Sequence, residues 1–156
     1  MRLDILAVGK LKEEYWVKAC DEYLKRLGRY AQIQVVEVPD GSAKSAYDID
    51  SVLSEEATAI RRKLTPNTYL IALDQAGKQP TSEGLARELS NLQTRGHSHL
   101  SFIIGGSWGL EQALKKQADT TLSLGAITLP HNMARVVLLE QLYRSFRIIN
   151  GEPYHK

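Results

Sequence analysis

An α/β architecture, a mostly parallel sheet with helices on both faces, follows from three features of this chain. Short apolar or β-branched runs alternate with segments of helical period from one end to the other. Parallel strands need crossover connections, and the helix-like segments between the runs supply them. The 156 residues, 43% apolar and 24% charged, have ordinary globular composition. A domain of that size buries about 68–70% of its unfolded surface, enough for a core without disulfides or a structural metal.

Residues 3–8 (LDILAV), stopped by Gly9, read as a buried first strand. Trp16, Cys20, Tyr23, Leu24 and Leu27 recur at three- and four-residue spacing and mark one face of a helix. Residues 33–38 form a β-branched second strand ended by the turn sequence Pro39-Asp40-Gly41. The loop-like stretch 39–47 reads as an excursion, not a domain boundary. A helix carrying Ile49, Val52, Leu53, Ile60 and Leu64 follows, with Asp48 placed to cap it. Pro66-Asn67 breaks the chain before a third strand at 69–73. Thr81 or Ser82 caps a helix bearing Leu85, Leu89 and Leu92, and Gly96 stops it. The fourth strand, 100–104, runs into Gly105-Gly106. A short helix at 110–116, a short strand at 121–124 and a long helix at 133–149 complete the order. Val136, Leu139, Leu142, Phe146 and Ile149 form the last helix's stripe, and Gly151 with Pro153 ends it.

A net charge of +2 gives no global field for nonspecific nucleic-acid binding, so any RNA or DNA partner must be met by a local patch, and no DNA partner is expected. The lone Cys20 excludes an intrachain disulfide and multi-cysteine metal sites and fits a reducing compartment. The N-terminus lacks the pattern of a signal peptide and no apolar run approaches roughly 18 residues, so the expectation is a cytoplasmic protein without a membrane partner.

Open α/β sheets bind ligands beyond the carboxyl ends of their strands. Three such junctions stand out here: 73–77 (LDQAG), 104–109 (IGGSWG) and 122–130 (LSLGAITLP). Their glycines allow close backbone approach and their aliphatic side chains suit a flat ring, which points to a nucleoside-type ligand. Tight turns alone would also account for the glycines. The dinucleotide fingerprint G-x-G-x-x-G after the first strand and the Walker A loop are both missing, which disfavours nicotinamide and nucleoside triphosphate ligands. Residues 105–109 do spell G-x-S-x-G between a strand and a helix, the context of a hydrolase nucleophile elbow. Asp119 and then His131 or His155 follow in the required order, so a small serine hydrolase using Ser107 is the alternative. No metal site is expected, because His97, His99, His131 and His155 lack ligand spacing.

From residue 131 onward, Arg135, Arg144, Arg147 and Lys156 face only Glu140 and Glu152. Such a pattern is commonly a solvated helix face with a frayed tail. The tail, however, reads Glu152-Pro153-Tyr154-His155-Lys156, which combines an aromatic ring, a titratable ring and a cation suited to an unpaired base and phosphate.

These residues carry a resemblance. Val8-Gly9-Lys10, Leu73-Asp74, residues 102–106 (FIIGG), residues 128–131 (TLPH), Arg135, residues 140–144 (EQLYR) and residues 151–156 (GEPYHK) form an ordered signature along the whole chain. The chain resembles the ribosomal RNA large subunit methyltransferase H group of the SPOUT superfamily. The resemblance implies one methyltransferase domain over residues 1–156, with a C-terminal trefoil knot that pattern reasoning alone would reject. It implies S-adenosylmethionine as cofactor, held by Leu73, Gly105, Leu124, Gly125, Ala126, Ile127, Thr128 and Leu129. It also implies a homodimer in which one subunit's tail completes the other's pocket, and a substrate in 23S rRNA on the assembled 70S ribosome, methylated at N3 of a pseudouridine. The apolar residues Val136, Leu138, Leu139, Leu142 and Tyr143 suggest a dimer face on the last helix.

The N3 proton must leave or its anion be stabilised. The expected roles are His155 as proton acceptor or relay, Tyr154 orienting the base, and Arg144 stabilising charge or binding phosphate. His131 and Arg135 are second choices that would instead order the cofactor loop.

Overall fold

The computed structural model describes residues 1–41 and 48–154. Its elements run β1 (Arg2–Val8), α1 (Glu14–Leu27), β2 (Gln32–Val38), α2 (Ile49–Lys63), β3 (Tyr69–Lys78), α3 (Ser82–Thr94), β4 (His99–Ile104), α4 (Gln112–Gln117), β5 (Thr120–Leu122) and α5 (His131–Ile149). All strand pairs are parallel, in the order β2-β1-β4-β3-β5. Residues 42–47, part of the expected excursion, lie outside the described residues.

Side chains alternate across β1, and the two faces take different helices. Leu3, Ile5 and Ala7 join Phe102 and Ile104 in a core closed by α1, α3 and α5. Leu6 and Val8 join Ile103, Leu70 and Ala72 in a second core, closed by Ala57 and Ile60 of α2 and Leu114 of α4. Odd-numbered crossovers therefore step toward β2 over one face and even-numbered ones step back over the other. Alternating direction and face together keeps one hand throughout, as sheet twist demands.

The element ends have identifiable causes. At α3 the Thr81 hydroxyl accepts from the Gly84 amide at 3.0 Å. Its far end closes when the His97 amide donates to the Leu92 carbonyl at 2.9 Å, with Gly96 at φ 90°. The Glu152 amide likewise donates to the Arg147 carbonyl at 2.9 Å beyond α5.

Three expectations need correction. The third strand continues past Leu73 to Lys78, because both residues pair with Leu122 while 74–77 bulge out between them. Gly77 permits this return, since a Cβ there would sit 2.9 Å from the Leu122 backbone. On α5 Val136 is half-buried and Met133 and Ile148 stay 37% and 36% exposed, but Leu138, Leu139 and Leu142 are fully buried within the chain and Tyr143 is 8% exposed. They lie under α1 and α3, so they offer no dimer face. Arg135 is no surface cation either, being 1% exposed.

Candidate active site

The carboxyl ends of β3, β4 and β5 meet around a cavity of about 150 Å³, or about 600 Å³ with its open mouth. The enclosed volume is smaller than the roughly 300–1,000 Å³ usual for small-molecule sites, the rest being open to solvent. Of the residues expected to hold a cofactor, Leu73, Gly105, Leu124, Gly125, Ile127 and Leu129 line it. Ala126 and Thr128 do not. Thr128 instead accepts a 2.7 Å bond from the Gln75 side chain, which ties the 122–130 junction to the bulge of β3.

The walls are built from backbone where glycines fall. A Cβ on Gly105 would lie 2.3 Å from the Gly109 carbonyl oxygen, so the turn after β4 closes only with glycine there. The same glycine lines the cavity, and turn-making and ligand approach thus coincide in one residue. Asp74 supplies charge: its carboxylate pairs with Lys115 at 2.7 Å. That bond, against the opposing effect of burial, holds Asp74 below the usual carboxylate range. A concave, mainly aliphatic pocket with a glycine wall, its one carboxylate paired with Lys115, fits a nucleoside-type ligand.

His131 and Ala134 also line the cavity from the first turn of α5. Ala134 carried no signal in the sequence beyond its three-residue spacing from His131. Arg135, one position on, points elsewhere: it donates to Glu37 at 2.6 Å and to the Gly9 carbonyl at 2.9 Å. It fastens α5 to the ends of β1 and β2, not to the 124–129 loop.

Arg144 and Tyr154 do come together. Arg144 donates twice to Glu140, at 3.0 and 2.8 Å, and its guanidinium stands 4.0 Å from the Tyr154 ring centre. The Tyr154 hydroxyl donates to the same carboxylate at 2.9 Å, and its ring meets Tyr143 edge-on. The tail through Tyr154 is folded onto α5, contrary to the frayed alternative. Burial, then the Glu140 bond, pushes the Tyr154 phenol up to about 12, so it is a proton donor and not a base at neutral pH. His155 and Lys156 lie outside the described residues.

Neither Arg144 nor Tyr154 lines the cavity. Ten residues of helix separate Ala134 from Arg144, which places them about 15 Å apart along the axis.

The hydrolase alternative finds no elbow. Asn67 is the sole non-glycine with positive φ among the described residues, so Ser107 lacks the strained backbone of such a nucleophile. Asp119, the presumed triad acid, accepts the Leu70 amide at 2.7 Å at the edge of the sheet. Among the described residues no cluster of His, Cys, Asp or Glu could hold a metal.

Comparison with known proteins matches this arrangement. A family model described as "Predicted SPOUT methyltransferase" covers residues 1–155. A protein of Limosilactobacillus reuteri named "Ribosomal RNA large subunit methyltransferase H" is 48% identical, over 100% of both chains. One of the same name from Acetivibrio thermocellus is 46% identical over the same extent. In fold, the chain is similar to the crystal structure of a probable methyltransferase from Bordetella pertussis, with TM-score 0.60, 14% identity and coverage of 93% of this chain and 96% of that one. It is also similar to a probable methylase family protein of Haemophilus influenzae, with TM-score 0.55, 12% identity and coverage of 99% and 70%. With its whole length matched by model and relatives alike, the chain belongs to the SPOUT methyltransferase family, in the group named ribosomal RNA large subunit methyltransferase H.

Proposed function

We propose that this chain is an S-adenosylmethionine-dependent methyltransferase acting on N3 of a pseudouridine in 23S rRNA, with the assembled 70S ribosome as substrate. The observation that carries the reading is the cavity where the glycine turn after β4, the bulge of β3 and the 122–130 junction converge. S-adenosylmethionine, when bound, supplies an electrophilic methyl group. Leu73, Gly105, Leu124, Gly125, Ile127 and Leu129 bind it by shape, Ala126 and Thr128 complete the loop, and Asp74 adds charge. The trefoil knot implied by the resemblance lies in the C-terminal portion of the chain.

At the substrate, His155 accepts or relays the N3 proton. Tyr154, held protonated, orients the base by stacking or donation. Arg144 stabilises the negative charge that develops on the flanking carbonyls or holds a phosphate. Arg144 and Tyr154 stand away from the cavity of their own chain, which favours a homodimer with each tail serving the partner's cavity. With a net charge of +2, affinity for free RNA is low, and a large preformed ribosomal surface docks the enzyme. The setting is the cytoplasm, and no described helix is long and apolar enough to cross a membrane.

The test supplies methyl-labelled S-adenosylmethionine with 70S ribosomes or protein-free 23S rRNA, both lacking the modification. Label at N3 of one pseudouridine, on ribosomes only, is expected. No label on either substrate, together with no cofactor binding, overturns the reading.

A further inference from the structure

At the mouth of the cavity the chain exposes apolar surface that its own packing does not use. Trp108 is 52% exposed and Ile127, which lines the cavity, is 73% exposed. Soluble proteins bury most large apolar side chains, and an exposed indole on a turn that builds the wall of a concave site is available for contact. The second tryptophan behaves differently: Trp16 is half-buried and packs on Tyr15 at 5.2 Å.

The backbone beneath Trp108 is fixed. Gly106 and Gly109 bridge across the reversal, and the Gly109 amide donates to the Gly106 carbonyl at 3.1 Å. Gly109 takes a φ of 80°, which a residue with a side chain adopts only under strain. Both glycines line the cavity, so the two-residue tip Ser107-Trp108 rises directly from its wall. Below, Gly106 sits against Val8, where a Cβ would meet a methyl group at 3.0 Å. The indole at this tip therefore stands on a closed backbone turn and is itself open to contact.

We propose that Trp108 is the stacking platform for an unpaired base of the RNA substrate, next to the nucleotide being methylated. The proposal rests on the RNA methyltransferase reading and adds a substrate-positioning residue on the cavity side, apart from the tail. Flat nucleobases are the occupant that this geometry favours. The cavity is the one place where the substrate must come, and single-stranded RNA is recognised chiefly by stacking on aromatic rings. Every base has a π-face, so the contact sets position and affinity without reading base identity.

The experiment compares wild type, Trp108→Ala and Trp108→Phe on unmodified 70S ribosomes, with cofactor affinity measured by calorimetry and association state by light scattering. Loss of one stacked base raises KM for ribosomes about tenfold in Trp108→Ala. Phenylalanine restores most of it, while cofactor affinity and association state stay at wild-type values. An unchanged KM in Trp108→Ala overturns the proposal. A shifted association state also overturns it, since the indole then packs on a second copy of the chain, and weakened cofactor binding does so by making it part of the cofactor pocket. Wild-type turnover separates the two levels: its absence removes the methyltransferase reading and this proposal with it, whereas turnover insensitive to Trp108 removes only the stacking role.

Discussion

Glu56 is the least comfortable side chain in the molecule. It is 5% exposed, its Oε1 accepts the Gly41 amide at 2.9 Å, and its Oε2 has no hydrogen-bond partner. Burial pushes its carboxyl up, with the Gly41 bond opposing and the charges of Asp40 and Glu55 adding to the rise. Because the folded form holds its proton more tightly than the unfolded chain, stability falls as pH rises from the ordinary value of 4.5 toward the folded value, and stays reduced above it. Glu56→Gln keeps an acceptor for Gly41 and removes the charge. The variant is therefore expected to match wild type at acid pH and exceed it at neutral pH, read by urea denaturation at both. A variant less stable than wild type at neutral pH would mean that the ionised carboxylate is stabilising. None of this was legible in the sequence, where Glu55-Glu56 reads as ordinary helix surface: only the fold brings the second carboxylate against Gly106 and Val8.

Among the elements, α5 shows how far periodicity carries and where it stops. Spacing located the helix and most of its buried stripe, because apolar residues at three- and four-residue intervals leave one solution for a helix against a sheet. It could not place Arg135, since the partner Glu37 lies 98 positions away and a buried arginine has the same letter as a solvated one. The strand ends failed for a related reason: Asp74 and Gly77 are residue types that strands disfavour, yet pairing resumes at Lys78 because β5 offers Leu122 a second time. Arg135→Met tests the helix anchor. It keeps length but leaves the Gly9 carbonyl without the Arg135 donor and Glu37 with only the Leu11 amide at 3.3 Å, at a cost of about 2–3 kcal/mol, below the usual figure for a fully buried pair because Glu37 is partly open to water. Combining it with Glu37→Gln should cost clearly less than the two single changes summed, since one interaction is removed in both. Strict additivity in denaturant titrations would deny the pair its role.

For the molecule as a whole, the three junctions that line the cavity were legible in the sequence, and the distance of the Arg144–Tyr154 cluster from them was not. Strand-end logic found all three junctions, because a parallel sheet gathers its carboxyl ends on one edge whatever the strand order. It could not place the Arg144–Tyr154 cluster, which depends on the direction in which α5 leaves that edge. The helix carries the cluster about 15 Å from Ala134, so within a single chain the cavity and the cluster do not meet. A two-fold dimer can join each cavity to the partner's tail, and the idea can be tested by complementation. Ala134→Phe fills the cavity and Arg144→Ala disables the tail, so each homodimer should be inactive. Unfolded together and refolded at equal amounts, random pairing makes half the dimers mixed, and in each of those one of the two composite sites carries neither change. About a quarter of wild-type turnover should return. If mixed dimers are present by native mass spectrometry and no activity returns, cavity and tail act within one chain, and α5 or the tail must move by the full separation during the reaction.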